Sequence, residues 1–76
     1  MEATEDELYY EITQIPLVKA IENQDYELIK KCLEKTEKIL KIINERNILQ
    51  NHKRGLEINI RLLRANLNND MQLQMF

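Results

Sequence analysis

The sequence predicts an all-α fold: an antiparallel helical hairpin with a short N-terminal helix laid across it, three-helix and bundle-like. Three observations carry this. The 76 residues include one Gly and one Pro, so little interrupts long runs of good helix formers. Apolar residues recur at steps of three and four, and no alternating strand pattern occurs. The longest stripe, in AIENQDYELIKKCLEKTEKILKIIN (20–44), needs a long helical mate to bury it in so short a chain.

The first helix starts at TEDE (4–7), which fits a capping box: the Thr4 hydroxyl takes a backbone N–H and Glu7 reaches back. Asp6 and Glu7 also suit the positive end of the helix dipole. Leu8, Ile12 and Ile15 then fall on one side. Pro16 either kinks a helix running over about 5–21 or lies in the first turn of a second short helix capped by Thr13.

ENQD (22–25) reads as a break, with Asn23 or Asp25 capping a second helix. Its seam runs Ile29, Cys32/Leu33, Thr36, Ile39/Leu40 and Ile43, a near seven-residue repeat of coiled-coil type. Glu27–Lys31, Glu34–Lys38 and Glu37–Lys41 stand at i, i+4 on the solvated side, each worth a few tenths of a kcal/mol. NHKRGL (51–56) reads as the helix end, with bases in the last turn and Gly55 at a left-handed position. The helix then spans about 25–53 and measures roughly 42 Å at 1.5 Å per residue. The alternative lets it continue through Gly55, at about 1 kcal/mol. The third helix, about 57–70, places Leu56, Ile60, Leu63, Leu67 and Met71 on one side, widened by Ile58, Leu62, Ala65 and Leu73. Residues 71–76 form an apolar tail, MQLQMF.

Together these elements make one domain, 1–76. A single core of this size rarely contributes more than about 3–5 kcal/mol, which favours oligomerisation or partner binding as a source of further burial. One cysteine, Cys32, excludes an intrachain disulfide, and one histidine, His52, excludes the usual Cys/His zinc set. Cys32 reads as an inert thiol on the apolar stripe, and His52 as a surface or capping residue at a basic helix end. Phosphate loops and dinucleotide fingerprints need several glycines. The acids of MEATEDELYYE are explained by the helix dipole. The expectation is therefore no enzyme, no cofactor and no metal. The start of the chain is acidic rather than basic-then-apolar, and no run approaches a membrane span. With a lone thiol, this points to the cytoplasm and away from membranes.

The net charge of −2 exerts no global pull toward nucleic acid. A local basic set, Arg46, Lys53, Arg54, Arg61 and Arg64, is the candidate for an alternative function, a small nucleic-acid-binding regulator. Glu45 and Glu57 interleave it, and no aromatic group is at hand for base stacking.

AIENQDYELIKKCLEKTEKILKIINE (20–45) resembles the core helix of small flagellar or type III export chaperones of the FliT/FlgN kind. LEINIRLLRANL (56–67) resembles the helix that follows it, and the likeness extends over 16–67. The resemblance implies an antiparallel hairpin that keeps a client's amphipathic helix in solution, without catalysis. The leading expectation is a chaperone- or adaptor-like module that binds a protein partner's amphipathic helix. A self-associating structural bundle, in the simplest case a homodimer, is a further alternative. The expected contact residues are Ile60, Leu63 and Leu67 with Leu73 and Phe76, and Asp at 63 and 67 is expected to abolish binding while helicity survives. Ile29, Leu33, Ile39, Leu40 and Ile43 are the expected internal seam.

Overall fold

The computed structural model describes the backbone of residues 3–75 and the side chains of residues 3–68. The fold is all-α, in the order α1 (Glu5–Thr13), α2 (Leu17–Glu22), α3 (Tyr26–Arg46), a 3-10 turn (Gln50–His52) and α4 (Lys53–Met75). α3 and α4 form an antiparallel hairpin, the most extensive helix pairing in the molecule, and α1 and α2 lie along it.

Each boundary has a local cause. At α1 the capping box is present: the Glu7 N–H donates to Thr4 Oγ1 at 3.1 Å and the Thr4 N–H to Glu7 Oε1 at 3.4 Å. Pro16 ends the first helix rather than kinking it. Its ring disfavours a helical residue before it, and α2 begins just after it. Thr13 does not cap α2; its hydroxyl donates back to the Tyr10 carbonyl at 2.6 Å. α2 closes in a Schellman ending, with Asp25 N–H to Ala20 O and Gln24 N–H to Ile21 O, both 3.1 Å. Asp25 then caps α3 through the Leu28 N–H at 3.2 Å. Gln24 holds a φ of 49° there, a conformation in which a Cβ is disfavoured. Gln24→Gly is therefore expected to raise stability by about 0.5–1 kcal/mol, read by chemical denaturation.

The chain reverses earlier than the glycine suggests, and the helix expected over 25–53 stops at Arg46. Asn47 takes the left-handed position (φ 56°), and the Ile48 N–H reaches the Ile43 carbonyl at 3.0 Å. Gln50 Nε2 donates to the same carbonyl at 3.0 Å. Asn tolerates this region better than most side chains, so the turn does not need Gly. Gly55 instead lies inside α4, and a Cβ placed on it would meet nothing within 4 Å. Gly55→Ala is expected to stabilise by about 0.5–1 kcal/mol, visible as a higher thermal midpoint. His52, Lys53 and Arg54 thus stand at the start of a helix, where cations oppose the dipole, rather than at the end of one.

The α3 seam is buried as its spacing predicts: Ile29, Cys32, Thr36, Ile39 and Ile43 are all closed to solvent, with Leu33 and Leu40 half-buried beside them. Two apolar clusters divide its length. Near the turn, Leu8 of α1 packs with Ile39, Ile43 and Leu56. At the other end, Ala20 of α2 packs with Ile29, Cys32 and Leu63. Ile15, between α1 and α2, touches both. Buried Thr36 occupies the α3 position between them, and its hydroxyl donates to the Cys32 carbonyl at 2.6 Å, so no buried polar atom is stranded there.

Candidate partner-binding face

α4 carries apolar residues on two sides, and packing against α3 and α2 uses only one. Leu56, Ile60 and Leu63 are 1%, 7% and 0% exposed, with Leu67 half-buried beside Leu63's cluster. This corrects the expected contact surface. Ile60 and Leu63 are core, because the 56/60/63/67 repeat is the side of α4 that meets the α3 seam. Leu73 and Phe76 lie outside the described side chains.

At 100° per residue, Ile58, Leu62 and Ala65 fall on the opposite side of the cylinder. Ile58 is 52% and Leu62 44% exposed, and Ala65 is exposed as well. They form a stripe about 10 Å long at 1.5 Å per residue. The same periodicity puts Arg54 and Arg61 along one edge of the stripe, and Asn59 and Asn66 along the other. Asn66 Nδ2 is held by the Leu62 carbonyl at 2.8 Å. Lys53, Arg54 and Arg61 line a shallow groove with Gln50, Glu57 and Ile58. The sequence shows both sets, 56/60/63/67 and 58/62/65, at helical spacing, and only packing separates them.

The five bases considered for nucleic acid do not act as one set. Arg46 Nη1 donates to the Ala3 carbonyl, tying the end of α3 to the segment before α1. Arg64 pairs with Glu37 at 3.5 Å across the hairpin, at the surface, where such a pair is worth at most about 1 kcal/mol. Among the described residues, no carboxylate oxygen lies within 4.0 Å of Lys53, Arg54 or Arg61.

Elsewhere, Tyr10 and Val18 are exposed on α1 and α2, and the Tyr9 ring meets His52 edge-on at 5.2 Å between centroids. Cys32 is a free thiol in the core; burial pushes its pKa up, with the Lys35 charge opposing. A protonated, enclosed thiol is a poor nucleophile. Among the described residues no group of three or more His, Cys, Asp or Glu is placed to hold a metal ion, and no helix is long and apolar enough to cross a membrane. Compared with protein-family models, with curated proteins and with solved structures, the chain matches none.

Proposed function

We propose that this chain is a non-catalytic helical protein-binding module, adaptor- or chaperone-like, that receives an amphipathic helix of a partner protein on the outer side of α4. One observation carries the reading: Ile58 and Leu62 are large, apolar and about half exposed one helical turn apart, on a helix whose other side already closes the core. Helix-in-groove and helix-on-helix recognition use such i, i+4, i+7 anchors. The role is of the kind that the resemblance to small export chaperones implies, with the contact residues moved to Ile58, Leu62 and Ala65. A lone core thiol suits action in the reducing cytoplasm.

The test is light scattering over a wide concentration range, on the natural chain and on an Ile58→Asp, Leu62→Asp double variant. Both positions are surface, so the double variant is expected to keep its helicity and to lose less than about 1 kcal/mol of stability. A monomer at all concentrations supports a face kept for another protein. A dimer dissolved by the double substitution would turn the face toward a twin and sink the adaptor reading. Nucleic acid has less support, since Arg46 and Arg64 are engaged within the chain.

A further inference from the structure

The edges of the exposed α4 stripe differ in charge, and this difference describes the partner. We infer that the helix it receives is acidic along one edge. Such a helix has apolar residues spaced to meet Ile58, Leu62 and Ala65, Asp or Glu on the side facing Arg54 and Arg61, and neutral polar groups facing Asn59 and Asn66. This inference rests on the reading that the face docks a helix.

Arg54 and Arg61 are seven residues apart, which stacks them on one edge two turns from each other. Around the groove beside that edge stand three bases, Lys53, Arg54 and Arg61, against the single carboxylate of Glu57. Lys53 and Arg54 also occupy the first turn of α4, which holds no acid. There the positive helix end adds to their charge instead of offsetting it. The placement opposes helix stability and strengthens attraction for an anionic partner. Among the described residues of α4, the opposite edge carries the neutral Asn59 and Asn66, which offer acids of a partner helix no opposite charge.

The alternatives within the chain fit less well. A second copy's α4, laid antiparallel and centred on Leu62, brings one Arg61 against the other, and like charges meet. The α1 of a second copy is acidic, but its outward side offers Tyr10 among Asp6, Thr13 and Gln14, without an apolar i, i+4, i+7 set. A different protein's acid-edged helix meets both the stripe and the charge. The small side chain of Ala65 lets that helix approach closely at one end.

The experiment titrates the isotope-labelled 76-residue chain with two designed peptides of about 14 residues, side-chain bridged because unbridged helices of that length are marginal in water. They share one apolar stripe and differ only in a Glu or a Lys edge. The Glu peptide is expected to shift the amide signals of residues 54–66 and to bind at least about tenfold tighter than the Lys peptide. That preference should shrink in roughly 0.5 M salt. An Arg54→Glu, Arg61→Glu variant is expected to reverse it. Equal binding of both peptides at this face would overturn the charge assignment and leave the docking function standing. Failure of both peptides to shift residues 58–65, or shifts confined to another face, would overturn both. Self-association abolished by Ile58→Asp would replace the foreign helix with a second copy of this chain.

Discussion

Leu63→Ala is expected to lower stability by about 2–5 kcal/mol, a loss of the same order as everything a core this small contributes. Leu63 is fully buried where three helices meet, in one cluster with Ala20 of α2 and with Ile29 and Cys32 of α3. Truncation removes its transfer free energy and leaves a cavity that two helices on other sides cannot readily fill. Cys32 reports the event from the same cluster. Its thiol should resist alkylation in the natural chain and react quickly in the variant, in step with the loss of helical circular dichroism. Aspartate at 63 should be worse, since an unpaired carboxylate would enter an apolar site. Lost partner binding in a Leu63→Asp, Leu67→Asp protein therefore reports unfolding rather than a damaged docking surface. A Leu63→Ala protein that kept its helicity, its melting transition and its protected thiol would refute the packing described for α4.

Leu8→Ala should act differently, although Leu8 is equally closed to solvent, at 1% exposure. Leu8 is the one fully buried residue of α1 and meets Ile39, Ile43 and Leu56 near the turn. Besides half-buried Ile12, α1 and the segment before it are held by the Arg46–Ala3 hydrogen bond and the Tyr9–His52 edge contact. The expected loss is about 2–4 kcal/mol. It should fall first on the docking of α1, because a nine-residue helix is too short to persist undocked. Amide exchange separates the two variants. In Leu8→Ala the amides of α1 should exchange freely while those of α3 and the α2 end of the hairpin keep partial protection. Uniform loss of protection in Leu8→Ala would show instead that α1 is part of one cooperative unit.

Most of the fold was legible in the residues themselves. Thr4 with Glu7 is local chemistry: a side-chain oxygen satisfies a free N–H three residues away, so nearby sequence suffices, and the same chemistry narrowed the α3 cap to Asn23 or Asp25. The α3 seam was legible because spacing alone sets which residues share one side of a helix. The turn was misplaced because Gly55 gives the stronger local signal, whereas Asn47 works only together with the Ile48–Ile43 and Gln50–Ile43 hydrogen bonds. The docking face was misplaced for a related reason. Periodicity finds two apolar sides on α4 and does not by itself rank them.

Sequence by itself determined an all-helical chain, the start of α1, the inner side of α3, and a single thiol on that side, and narrowed the α3 cap to Asn23 or Asp25. These follow from interactions within a few residues or from helical period. Tertiary structure alone decided that the reversal comes at 47–49, that Leu56, Ile60 and Leu63 close the core, and that Ile58 and Leu62 stay outside. Those outcomes depend on which side of α4 meets α3 and α2. That is a contest between burials of similar size, settled only when the helices pack together.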